Sequence, residues 1–167
     1  MHIELMRKKE KAFPAIPSPE SVTSARIWHC SYKSLESISH LVNLRSLAIA
    51  SYPDPTFEAL SSLGMLESLE ILHLPNIKNL SPLAGLKKLR KLSLSTLPSW
   101  DSSGKRTIVE SLEPIAKLPL LEELSLFGVV PESKSVDALL SNQTLKRVRV
   151  SKYPKSEQQK ISERYGA

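Results

Sequence analysis

The feature that most constrains this chain is a rhythm in its leucines. The stretch "LSPLAGLKKLRKLSL", residues 80 to 94, places Leu80, Leu83, Leu86, Leu89, Leu92 and Leu94 at intervals of 3, 3, 3, 3 and 2. A helix that holds one face to a core alternates intervals of 3 and 4. A strict interval of three drifts by roughly 60° per step, so the apolar stripe winds away from any one core. Lys87, Lys88, Arg90 and Lys91 therefore do not make this a basic amphipathic helix seeking a membrane or nucleic acid. The closing 3-then-2 step is that of a short strand with two inward side chains, entered from a turn.

The rhythm recurs. LxxLxxLxL is read at Leu41, Leu44, Leu47, Ile49; at Leu66, Leu69, Leu72, Leu74; at Leu86, Leu89, Leu92, Leu94; and at Leu118, Leu121, Leu124, Leu126. Degenerate copies flank these, with Val22, Ala25 and Ile27 before them and Leu145, Val148 and Val150 after. Successive copies are offset by 22, 25, 20, 32 and 24 residues, a period that marks stacked repeat units.

On "NLSPLAGLKKLRKLSL" and "SLEPIAKLPLLEELSL" the sequence resembles the leucine-rich repeat family, in its short-repeat, internalin-like and phosphatase-regulator-like branch. The resemblance spans roughly residues 22 to 153. It implies an α/β solenoid: a right-handed superhelix of about six units, with a parallel sheet on the concave face and short helices or 3-10 turns on the convex face. Strands are expected near residues 25–28, 46–49, 71–74, 91–94, 123–126 and 147–150. The family's ladder residue after each strand, usually Asn or Cys, falls on Cys30 and Asn76, whereas other copies offer Tyr52, Leu97, Val129 or Tyr153. No continuous asparagine ladder is expected.

Residues 1–21 read as an N-terminal cap in which "HIELM" can form a short strand and "FPAIPSPE" an extended connector, because each proline disfavours helix in its predecessor. Residues 22–153 form the array. Residues 154–167 form a helical cap, with Ser156 as its expected N-cap and Gly166 at its end. The long fourth interval comes from "LPSWDSSGKRTIVE", residues 97–110, whose Ser, Gly and Asp content reads as an inserted surface loop. Such insertions often serve binding, and Trp100, Lys105 and Arg106 are its candidate contacts. A tolerated insertion with Trp100 tucked against the array fits equally well.

The formal charge of +6 is uneven along the chain. Residues 1–12 carry four basic and two acidic groups, residues 144–167 seven and two, and the rest twelve against thirteen. Charged end caps keep a solenoid from stacking on itself; a patch for phosphate or for an acidic partner is the sharper reading. No run of about 20 apolar residues suggests a membrane span. The first residues lack a secretory pattern, and one cysteine allows no internal disulfide, so the expected address is the cytoplasm. Neither a cofactor nor a metal site is implied. His2, His29, His40 and His73 fall on different repeats, and His29 beside Cys30 would face the opposite side of a strand. No catalytic constellation is present, and the chain does not read as an enzyme.

Alternation along the strands gives the inner face without a structure. It runs Ser24, Arg26, Trp28; Ser46, Ala48, Ala50; Ile71, His73, Pro75; Lys91, Ser93, Ser95; Glu123, Ser125, Phe127; Arg147, Arg149, Ser151. The candidate partner contacts are Arg26, Trp28, His73, Lys91, Phe127, Arg147 and Arg149. Trp28 and Phe127 are expected four strand spacings apart, roughly 19 Å, over a floor of small side chains. Trp and Arg are the types that most often dominate interface energy. Trp28 also fits a place in the N-terminal cap, and the two arginines fit a solubility role on the last strand. The resulting expectation is a cytoplasmic, non-catalytic protein-binding module, monomeric when free, of the kind a stoichiometric inhibitor or a bacterial toxin's immunity protein would use. The alternative is a nucleic-acid or ribosome-associated protein using the basic terminal strand and tail, which is disfavoured because Tyr153 and Tyr165 are thin provision for base stacking.

Overall fold

The computed structural model describes residues 1–166. Its strands are β1 (His2–Met6), β2 (Ser24–Trp28), β3 (Ser46–Ala50), β4 (Ser68–Leu72), β5 (Lys91–Ser95), β6 (Thr107–Val109), β7 (Glu123–Phe127), β8 (Val129–Pro131) and β9 (Arg147–Ser151). Seven of them form one parallel sheet in the order β1-β2-β3-β4-β5-β7-β9, and β6 pairs with β8 in a separate two-stranded ribbon. The α-helices are α1 (Pro98–Ser103), α2 (Glu113–Ala116), α3 (Asp137–Leu140) and α4 (Lys155–Tyr165). The architecture is the leucine-rich-repeat solenoid.

The leucine rhythm works as a lattice. Leu47, Leu69, Leu92, Leu124 and Val148 stand in register across five strands, and Ile49, Ile71, Leu94, Leu126 and Val150 form a second row. Every leucine and isoleucine of these two rows is buried. Behind them the chain returns through 3-10 helices at Glu36–His40, Glu58–Leu60 and Ser81–Gly85, then through α2 and α3. Leu41, Leu44, Leu63, Leu66, Leu86, Leu89, Leu118 and Leu121 carry the core from the returns to the sheet. Burying each such side chain contributes about 1.5–3 kcal/mol.

A polar signature accompanies the apolar one. The side-chain oxygens of Ser34, Thr56, Asn79, Ser111 and Ser135 accept the backbone N–H two residues on, at 3.1, 3.3, 2.9, 3.0 and 3.1 Å respectively. These short side chains close the turn that opens each return. Their recurrence at the repeat period is a second readable mark of the units.

Four expectations are corrected. The second full repeat is framed as Leu63, Leu66, Leu69, Ile71, and its strand is Ser68–Leu72 rather than 71–74. "LESLEILHL" satisfies both frames, but only the observed one keeps each strand stacked in even register. The offsets between β2, β3, β4, β5, β7 and β9 become 22, 22, 23, 32 and 24 residues. Leu74 is then buried in the ladder position, and Asn76 lies beyond it with Nδ2 3.4 Å from the Pro53 carbonyl.

Next, "HIELM" does form a strand, as it was expected to be able to, but β1 pairs with β2 over five residues and joins the sheet, which has seven strands where six were expected. Residues 97–110, expected as an inserted surface loop, contain a helix and a strand. Pro98 starts α1 at a position where its missing N–H costs nothing, Gly104 ends it in the left-handed region at φ 79, and β6 follows. Finally, α4 starts at Lys155 after Pro154, so Ser156 lies inside the helix instead of capping it. Ile161 is buried against the last repeat, and the Tyr165 hydroxyl donates to the Leu139 carbonyl. Ala167, the last residue of the expected cap, lies outside the described residues.

Candidate functional site

Strand alternation leaves three columns of side chains on the concave face. The first runs His2, Ser24, Ser46, Ser68, Lys91, Glu123, Arg147; the second Glu4, Arg26, Ala48, Glu70, Ser93, Ser125, Arg149; the third Met6, Trp28, Ala50, Leu72, Ser95, Phe127, Ser151. Of the sequence candidates, Arg26, Trp28, Lys91, Phe127, Arg147 and Arg149 stand on this face. His73 does not: the corrected frame puts Ser68, Glu70 and Leu72 where Ile71, His73 and Pro75 were expected, and Ile71 is in the core.

The first two columns are polar and carry charges of both signs. Arg147 lies 3.8 Å from Glu123, while Arg149 is exposed without a carboxylate within 4.0 Å among the described residues. Ser68, Glu70, Lys91, Ser93, Glu123 and Ser125 line a shallow hollow in the middle of the sheet. The third column is the apolar one. Trp28 is half-buried, and the Arg26 guanidinium sits 4.4 Å from its ring centroid while also lying 3.9 Å from Glu4. That stacking, worth about 0.5–1 kcal/mol at an exposed site, holds the ring on the column beside Ala50, its register partner on β3. Phe127 stands in the same column four strands away.

At the end of six of the sheet's seven strands the chain turns out at a left-handed residue. Arg7, His29, Ser51, His73, Gly128 and Lys152 occupy this column with φ between 51 and 76. The first five each donate one more N–H to the next strand, as in His29 to the Ala50 carbonyl at 3.1 Å and His73 to the Ser95 carbonyl at 2.7 Å. Thr96, after β5, donates to Phe127 at 2.9 Å without a positive φ. There the chain departs into α1.

This C-terminal edge of the sheet gathers His73, Trp100 and Lys105. The His73 and Trp100 rings meet edge to face with centroids 5.2 Å apart, and Lys105 Nζ lies 5.8 Å from the Trp100 centroid. Burial, assisted by the neighbouring His29, holds the His73 pKa below the ordinary histidine value, and its Nδ1 is buried without a hydrogen-bond partner. Arg106 is exposed and unpaired nearby among the described residues. Glu4, Met6, Glu70 and Leu72 were missed by sequence reasoning. The 22-residue offset applied backward from Ser24 to His2, and forward from Ser46 to Ser68, would have found them.

Among the described residues no group of three or more His, Cys, Asp or Glu is placed to hold a metal ion, and no helix is long and apolar enough to cross a membrane. No protein-family model matches the chain, and no curated protein matches it either. Among solved structures it is similar to an internalin (inlF) from Listeria monocytogenes, with a TM-score of 0.55 and 23% identity over 75% of this chain and 34% of that one. An internalin C2 (inlC2) from the same organism gives a TM-score of 0.56 and 22% identity over 78% of this chain and 54% of that one. The likeness is one of fold: this chain spans about a third and about half of the lengths of those two proteins.

Proposed function

We propose that this leucine-rich-repeat solenoid is a non-catalytic module that grips a protein partner on its concave face and acts by occupying that partner's surface, as a stoichiometric inhibitor or a bacterial toxin's immunity protein does in the cytoplasm. The observation that carries this reading is the third column. A rigid parallel sheet holds Trp28, pinned by Arg26, and Phe127 about 19 Å away, with Ala50, Leu72 and Ser95 between them. Pre-set aromatic anchors on a rigid sheet lose little side-chain freedom on binding and offer the residue types that dominate interface energy.

The test is to isolate the protein partner from the native host with the full chain, measure stoichiometry by light scattering, and titrate variants by calorimetry. A one-to-one complex is expected, and Trp28→Ala should weaken it by about 2 kcal/mol, or roughly thirty-fold. The absence of a saturable protein partner at micromolar concentration, or a complex indifferent to Trp28→Ala and Phe127→Ala together, would overturn the reading.

A further inference from the structure

The net charge of the chain resides on one edge. The segments that leave the C-terminal ends of the seven strands, residues 7–12, 29–34, 51–57, 73–79, 96–110, 128–135 and, with the first residue of α4, 152–155, hold eleven Lys and Arg against five Asp and Glu. The remainder of the molecule balances at twelve and twelve. Pairing separates the two sets more sharply. Six of the twelve cations elsewhere lie within 4.0 Å of a carboxylate: Arg26, Arg90, Lys117, Lys146, Arg147 and Lys160. Among the described residues none of the eleven on the C-terminal edge does, and all but Lys152 are exposed.

Two of the five edge carboxylates have structural tasks. Asp54 accepts the Leu35 N–H at 2.8 Å, and Asp101 accepts the Thr96 hydroxyl at 3.0 Å. The edge runs six strand spacings, about 29 Å, as an unneutralised rim. A rim of like charges repels itself and weakens the fold that carries it. Solubility requires charge but does not require that it be concentrated on one edge and left unpaired there.

The rim borders apolar surface. Trp28 and Phe127 end their strands at it, Met6 is 39% exposed and Ile108 is 45% exposed. An apolar strip beside a charged rim is the anatomy of a protein interface. Nucleic acid would need open aromatic faces for stacking, whereas Arg26 covers a face of Trp28, and Trp100 is engaged by His73 and Lys105. We propose that the C-terminal edge of the sheet, with the third column beside it, docks an acidic protein surface, so that the partner lies over this edge rather than centred in the hollow. The inference rests on the protein-binding reading above and deepens it.

The experiment titrates the full chain with a fluorescent acidic peptide that alternates Glu or Asp with Leu or Phe, and with single-stranded and duplex DNA of equal charge. The salt is about 0.15 M, where the Debye length is about 8 Å. Two variants change net charge equally: Lys8→Glu, Lys9→Glu, Lys105→Glu, Arg106→Glu on this edge, and Arg45→Glu, Lys87→Glu, Lys88→Glu, Lys117→Glu on the opposite edge. Lys105→Glu with Arg106→Glu alone replaces the first set should that variant fail to fold. The peptide is expected to bind more tightly than either DNA, to weaken at least about tenfold in the first variant and to change less than about threefold in the second. No peptide binding, equal loss in both variants, or tighter binding of DNA would overturn the proposal. A native protein partner lost with Trp28→Ala but indifferent to the first variant would leave the protein-binding reading standing and sink this one.

Discussion

The two edges of the sheet follow opposite rules. Every repeat enters its strand at the N-terminal edge in nearly the same way, through Leu-x-x-Leu and a residue whose carbonyl accepts two N–H groups of the next unit. Arg45 gives this carbonyl to Glu67 and Ser68, Glu67 to Arg90 and Lys91, and Arg90 to Glu122 and Glu123. The side chains of that column alternate in sign, and Glu122 lies 3.3 Å from Arg90 and 3.4 Å from Lys146. At the C-terminal edge six of the seven exits share a left-handed first residue, but beyond it they differ. One is a short turn, another holds α1 and β6, and the cations are unpaired among the described residues. Uniformity marks the edge where stacking is enforced, because each unit must match its neighbours. Variety marks the part of the other edge that lies beyond the shared left-handed residue, where only the entry to the next return is constrained.

Breaking the uniform edge should cost most. Leu89→Ala removes a fully buried side chain from the interior of the stack and is expected to destabilise by about 2–5 kcal/mol in urea unfolding. Asn142 is the polar exception on that edge. It stands where other units bury Leu41, Leu63, Leu86 and Leu118, donates to the Ala116 carbonyl at 2.7 Å and accepts the N–H groups of Thr144 and Leu145. Asn142→Ala leaves those groups unsatisfied at a cost of about 1–3 kcal/mol.

At the varied edge effects should be smaller and local. Gly128 has φ 76, and a Cβ there would collide with Thr96 Oγ1. Gly128→Ala should therefore cost about 2 kcal/mol, and adding Thr96→Ala should recover part of it, measured as a double-mutant cycle. The smallest effect concerns pH. Because burial depresses the His73 pKa in the folded state, the unfolded chain binds more protons as pH falls below about 6.5, and stability declines in that window. The melting temperature should drop on acidification from neutral pH, and His73→Phe, which preserves contact with Trp100, should reduce that drop. An equal drop in both proteins would remove His73 from the account.

How far the site was readable followed the same division. Arg26, Trp28, Lys91, Phe127, Arg147 and Arg149 were placed on the concave face by alternation alone, because a strand flanked by two inward leucines has one register. His73 was misplaced because "LEILHL" offers leucine in two frames, and local sequence carries no term for even stacking against the neighbouring strands. Trp100 was identified as a notable side chain, but its meeting with His73 depends on α1 folding back over β4's exit, which no spacing encodes.

By itself the sequence determined the unit. Leucines at 3, 3 and 2 with a Ser, Thr or Asn at each return dictate a strand and a tight turn, and no unit of that length can bury its apolar face alone. The tertiary structure decided the frame of the second full repeat, recruited "HIELM" as a seventh strand, and gathered charges scattered over seven loops onto one edge. The physical reason is that local patterning acts over a few residues, whereas strand register and the shared direction of parallel strands are properties of the stack.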